Sequence, residues 1–238
     1  MRFGSCLEVA GGASTRARLH QARARILQML NLYVVTHPEA THHLEDRVGG
    51  WYDSELTPAG LVHAGLIADA LTQRVNDGGA VSVFTSDLTR TTQTAAAIGQ
   101  RLGREPVSMS ELREKSYGEG EGQPDAWFRQ RFVPPPATGE RMDHDEGLAG
   151  AETKLEWVRR VYRGMDQIMS RPALTTIVVT HGGSASAVIA HWLRIPSDAL
   201  AYASFRVETG SITHLREDDY FHNRTLVELN DTTHLRRA

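Results

Sequence analysis

A design written three times into the chain constrains its fold more than any other feature. A short, almost unbroken apolar run stops at a polar residue and gives way to a helical pattern. Leu32-Tyr33-Val34-Val35-Thr36 ends at His37, Val81-Ser82-Val83-Phe84-Thr85 runs into Ser86-Asp87, and Thr176-Ile177-Val178-Val179-Thr180 ends at His181. Short runs without polar alternation are expected in strands buried on both faces, as in a parallel sheet covered by helices.

The intervening helices are legible. Thr57-Pro58 supplies an N-cap followed by proline at the first helical position, and Val62, Leu66 and Ala70, flanked by Ile67 and Leu71, make an apolar stripe. A second helix is expected from about Leu88 to Leu102, with Gly103 as its left-handed terminator. Others are expected near Glu152–Met169, burying Leu155, Val158, Val161, Tyr162 and Met165, and from about Ser184 to Leu193, ending before Pro196. Ser204–Glu208, Ser211–Leu215 and Thr225–Asn230 read as three short strands. Alternating strands and helices imply a mainly parallel sheet with helices on both faces. Ligands bind such sheets beyond the carboxyl ends of the strands, where His37, Ser86-Asp87 and His181 all fall.

Composition narrows the class. The net charge of −3 gives no general attraction to nucleic acid or anionic membranes, so a phosphate site needs a local basic cluster. The one cysteine, Cys6, rules out an internal disulfide and fits a reducing cytoplasm. No apolar run approaches the roughly 20 residues that span a bilayer. Residues 1–28 carry five arginines against Glu8 and read as a dispensable, transit-like extension ahead of a domain over residues 29–238. Two lysines against 24 arginines fit a GC-rich bacterial source. Gly118, Gly120, Gly122 and Pro134-Pro135-Pro136 mark 114–150 as an excursion over the strand ends, whose Trp127 and Phe128 either line a pocket or anchor the loop.

Two strand-end histidines accompanied by Arg90 suggest phosphoryl chemistry. With a reference pKa of about 6.5, imidazole is substantially unprotonated at neutral pH and nucleophilic. Attack on phosphorus gives a phosphohistidine and divides hydrolysis into two easier steps. Arg90 offers a planar, two-pronged donor to phosphoryl oxygens, and a protonated His181 would offer another. Glu114, in Leu112-Arg113-Glu114-Lys115, is the candidate acid for the leaving alkoxide.

Further motifs follow in order. His43 and Gly50-Trp51-Tyr52-Asp53 precede Leu56-Thr57-Pro58-Ala59-Gly60, Thr85-Ser86-Asp87-Leu88-Thr89-Arg90 follows, and Val179-Thr180-His181-Gly182-Gly183 comes later. Together they resemble the histidine phosphatase superfamily, which includes the cofactor-dependent phosphoglycerate mutases. The tail, Leu229-Asn230-Asp231 with His234-Leu235, is similar to its phosphatase branch. The resemblance implies a three-layer α/β/α sandwich of the phosphoglycerate mutase-like kind. It implies catalytic roles for His37, Glu114 and His181, and substrate contacts for Thr36, His43, Gly50, Arg90 and Gly182. No metal and no cofactor are expected. The expected partner is a small phosphorylated metabolite, with neither nucleic acid nor membrane; a homodimer is left open.

The chain departs from the family pattern where Thr36 replaces an arginine, Pro38 a glycine and His43 an asparagine. A lost charge-assisted donor is worth roughly 1.5–3 kcal/mol. His42, His43 or Arg47 are the residues able to replace it, and Thr36→Arg is expected to raise activity. Three further readings are a catalytically weak phosphate-ligand binder, a mutase-type phosphotransferase, and a metallohydrolase using His37, His42, His43, Asp53 and His181. Adjacent His42 and His43 would diverge on an extended segment, with His42 exposed.

Overall fold

The computed structural model describes Met1 and residues 29–75, 79–170 and 172–237. The expected dispensable extension, apart from Met1, lies outside the described residues. The three apolar runs are the central strands β1 (Leu30–Thr36), β2 (Val81–Thr85) and, later in the chain, β4 (Thr175–Thr180). With β3 (Val107–Ser108), β5 (Ile212–Glu217) and β6 (Arg224–Asp231) they form a six-stranded mixed sheet in the order β3-β2-β4-β1-β5-β6. The first four strands in that order run parallel, whereas β5 lies antiparallel to β1 and β6 antiparallel to β5.

Successive residues of β1 enter opposite cores. Leu32 and Val34 pack with Val178, Leu215 and the buried faces of α5 (Lys154–Met169) and α6 (Gly182–Trp192). Tyr33 and Val35 pack with Val83, Ile177, Ile212 and the faces of α2 (Pro58–Arg74) and α3 (Thr89–Leu102). The unbroken apolar pattern follows from this two-sided burial. The sandwich has the expected three layers.

The helix ends obey local chemistry. Thr57 caps α2 by accepting from Gly60 N, Gly103 closes α3 at φ 62°, and Thr153 and Glu156 form a reciprocal capping box on α5. The phase of α2 differs from the expectation. Val62 is exposed, and the buried stripe is Gly60, Ala64, Ile67, Ala68 and Leu71. The cause is a close approach at Gly60, where a Cβ would lie 2.1 Å from Glu39 O, which turns that face of the helix inward. Helix α6 begins at Gly182, directly after His181, rather than near Ser184.

Ser204–Glu208 is a loop rather than a strand. Two of its amides go to side chains instead of a neighbouring strand, Phe205 N donating to Ser186 Oγ and Glu208 N to Asn230 Oδ1. The excursion 114–150 is more ordered than its composition suggests. It holds a 3₁₀ turn over Gly118–Gly120 and α4 (Asp125–Arg131).

Candidate active site

Parallel pairing of β1 with β4 places Thr36 opposite Thr180, so the residues that follow, His37 and His181, leave the sheet side by side. Their rings lie 5.2 Å apart between centroids at 69°, and both side chains are buried. Ser86 joins them from the end of β2, its Oγ 2.9 Å from His181 Nε2. Asp87 does not: its carboxylate grips Arg113 through two bonds of 2.7 and 2.6 Å, which hold it below the usual range. The cavity above these strand ends has a volume of about 320 Å³ and is also lined by Arg90, Glu114 and Tyr117.

His37 is held in one tautomer. Its Nδ1 lies 2.8 Å from Pro38 O, and since a carbonyl can only accept, Nδ1 carries the proton. Nε2 is then a lone pair, 3.2 Å from Arg90 Nε. Burial, followed by the Arg90 charge, keeps His37 well below the usual histidine range, so Nε2 stays unprotonated at neutral pH. Proline at position 38 removes an amide yet leaves the carbonyl that fixes the tautomer. The His37 carbonyl accepts from Gly210 N at 3.1 Å, and Gly210 O in turn faces His234 Nε2 at 3.0 Å. The C-terminal tail thus buttresses the His37 backbone.

Arg90 is 1% exposed and anchored by backbone. Its two terminal nitrogens donate to Tyr52 O at 2.8 Å and Gly50 O at 2.7 Å, leaving Nε for His37. Gly50 serves by its carbonyl and sits at φ 51°, where a Cβ would fall 2.9 Å from the Tyr117 ring. Burial lowers the guanidinium only to about 10, so it remains charged.

His181 differs from its expected protonated form. Burial, then Arg90 and His37, hold it well below the usual range, and its imidazole is neutral. Ser86 Oγ, which also accepts from Leu88 N at 3.4 Å, holds the His181 ring through Nε2, while His181 Nδ1 is buried with no partner among the described residues. Gly182, at the first position of α6, lines the cavity too.

Glu114 accepts four bonds at the start of α6. They come from Gly183 N (2.8 Å), Ser184 N (3.0 Å), Lys115 N (3.0 Å) and Ser184 Oγ (3.2 Å).

The departures from the family pattern resolve into distinct arrangements. Thr36 reaches the cavity wall, but its hydroxyl donates to Glu208 O at 2.5 Å and accepts from Ser211 N at 3.0 Å. It ties the loop before β5 and offers no free donor. His42 and His43 occupy a single helical turn, α1 (Thr41–Leu44), with ring centroids 4.0 Å apart, so they do not diverge. His42 is the buried one, bonded through Nδ1 to Ser54 Oγ at 2.6 Å, and burial lowers it to about 3. His43 accepts from Ala40 N at 3.0 Å through Nδ1 and stands near-parallel to His37 at 5.8 Å. Arg47 points elsewhere, to Gly122 O and Glu45. Asp53 binds Thr89 at the start of α3, and no group of three or more His, Cys, Asp or Glu among the described residues is placed to hold a metal.

Trp127 and Phe128 pack within the excursion itself. Phe128 packs edge-on against Tyr117 and Trp127 lies under Arg131. No sequence signal marks Tyr117, Val207 or Thr209 as cavity walls, because each arrives on a loop.

The comparisons with known proteins agree with this geometry. The histidine phosphatase superfamily (branch 1) matches residues 32–232, and the chain belongs to it. Among its relatives, a protein named probable phosphoglycerate mutase GpmB from Yersinia pestis is 30% identical over 214 residues, covering 87% of this chain and 95% of that protein. A mycobacterial glucosyl-3-phosphoglycerate phosphatase superposes with a TM-score of 0.68 at 23% identity, covering 86% of this chain and all of that one. The α-ribazole phosphatase of Shigella flexneri also gives 0.68, at 20% identity and 85% and 96% coverage. At such identities the solved structures bear on the fold alone.

Proposed function

We propose that the chain is a metal-independent phosphatase that hydrolyses a small phosphomonoester through a phosphohistidine on His37. The observation that carries this reading is the tautomer of His37. Pro38 O fixes the proton on Nδ1, and the unprotonated Nε2 accepts from Arg90 Nε inside a cavity that also holds Glu114. In the first step Nε2 bonds to phosphorus as the ester P–O bond breaks, and the leaving alkoxide takes the proton of Glu114, which enters this step as the carboxylic acid. Water then attacks the phosphohistidine, the P–N bond breaks, and Glu114 takes the water proton. Arg90 and His181 stabilise the equatorial oxygens.

The test is hydrolysis of p-nitrophenyl phosphate, with and without chelator, by wild type and His37→Ala. Chelator-resistant turnover that disappears in His37→Ala is the expected result, with an acid-labile phosphoenzyme trapped on the wild type. Chelator-sensitive turnover, or turnover surviving in His37→Ala, overturns it.

Two observations favour second readings. The Yersinia relative's name favours phosphoryl transfer, which would appear as isomerised phosphoglycerate without released phosphate. The engaged hydroxyl of Thr36, leaving Arg90 as the one permanent cation on the cavity wall, favours a slow enzyme or a ligand binder.

A further inference from the structure

A second cavity, also of about 320 Å³, lies against the first and shares Glu114 and Tyr117 with it. Its remaining walls come from the 114–150 excursion and the start of α5, and include Phe132, Arg141, Lys154 and Trp157. Three cations and two carboxylates line it, but the pairing is uneven. Lys115 is buried and bonded to Glu146, and the Glu114 carboxylate is held by the amides of α6. Arg141 and Lys154 have no carboxylate partner among the described residues. Arg141 Nε is buried with no hydrogen bond, and its guanidinium rests on the Tyr202 ring at 4.6 Å. Burial, then Arg141 itself, holds the Lys154 ammonium below the usual lysine range. An unpaired buried donor such as Arg141 Nε is costly unless something fills it.

We propose that this second cavity binds an acidic group, a carboxylate or a second phosphate, at the far end of the leaving group, and that Arg141 and Lys154 determine this specificity. The inference rests on the reading of the His37 cavity as the phosphoryl site. The shared Glu114 supports it, because the oxygen that Glu114 protonates belongs to a leaving group whose body continues past this side chain. Phe132 and Trp157 line the intervening space, Trp157 being fixed by its Nε1 bond to Ser184 Oγ at 2.9 Å. They suit an apolar or planar body between the two acidic ends.

Calorimetric binding of three non-hydrolysable probes to the full chain tests this without requiring turnover: benzylphosphonate, 4-carboxybenzylphosphonate and p-xylylene diphosphonate. The wild type is expected to bind at least one acid-bearing probe about tenfold or more tightly than benzylphosphonate, as charge-assisted bonds allow. Whichever probe gains identifies the acidic group. Arg141→Ala and Lys154→Met should each cut that ratio at least about fivefold, and Arg141→Lys should keep most of it. Because each result is a ratio, benzylphosphonate binding also reports that a variant is folded. Equal affinities for all three probes in the wild type would overturn the subsite alone, and so would ratios unmoved in both variants. Failure of every probe to bind would overturn the phosphoryl reading and the subsite with it.

Discussion

The two cavities that meet at Glu114 are built on opposite principles. The His37 cavity stands on the ends of β1, β2 and β4, and its key atoms are fixed by backbone: Pro38 O on His37, Tyr52 O and Gly50 O on Arg90, and amides of α6 on Glu114. Its four histidines are held neutral beside one buried guanidinium. The second cavity is walled by loop and helix-start residues, and two of its cations lack a carboxylate partner among the described residues. Rigid strand ends suit a reaction that needs atoms aligned to fractions of an ångström, while loops suit a choice of substrate.

The largest expected effect strikes the first cavity. Arg90→Ala removes the permanent cation beside His37 and should lower kcat/KM by about 10²–10³-fold for any phosphomonoester, whatever its far end carries. A loss that depended on the leaving group would break the division of labour. Glu114→Gln touches both cavities. It should cost about 10²-fold or more with an alkyl phosphate but far less with p-nitrophenyl phosphate, whose leaving group needs no proton. Equal losses would argue that Glu114 positions α6 rather than donating.

Gly183→Ala is a smaller probe of the shared wall. Its Cβ would lie 2.7 Å from Glu114 Oε1 and 3.0 Å from Trp157 Cζ2, so both cavities should be disturbed at once. About a tenfold drop in kcat/KM is expected, and an unchanged enzyme would show that the wall yields freely.

The neutral histidines predict a pH signature. A dianion entering the His37 cavity favours their charged forms, so binding should take up protons and tighten as pH falls from 8 to 6. Sulfate, which stays dianionic throughout, tests this by calorimetry in buffers of different ionisation heat. Affinity that fell with falling pH would contradict it. The same histidines have folded pKa values below their unfolded ones, so the unfolded state binds more protons and stability drops as pH falls below about 6.5. For His42 that window extends down to about 3, and His42→Gln should flatten the drop in Tm between pH 7 and 5.

The smallest expected effect is at Thr36. The sequence alone suggested that Thr36→Arg would add a useful cation. In the structure the substitution also removes the hydroxyl that joins Glu208 O and Ser211 N at a site 2% exposed. A Tm loss of several degrees should accompany any gain in phosphate affinity, since two buried hydrogen bonds are worth roughly 1–3 kcal/mol.

Local signals made much of the molecule legible. Two-sided burial wrote β1, β2 and β4 as continuous apolar runs, and Thr57, Gly103 and Thr153 marked helix ends by their own chemistry. Because His37, His181 and Ser86 each follow such a run directly, the parallel sheet had to bring them together. The sequence by itself therefore determined the layers and which residues meet in the strand-end pocket. Tertiary structure alone decided the rest. The rotation of α2 followed from a carbonyl approaching Gly60, the neutrality of His181 from burial beside Arg90, and the inward turn of His42 from one bond to Ser54. The meeting of Arg141 with Lys154 depended on where a long excursion came to rest. Each is an effect of distance between residues far apart in the chain, and periodicity and capping carry no record of such distances.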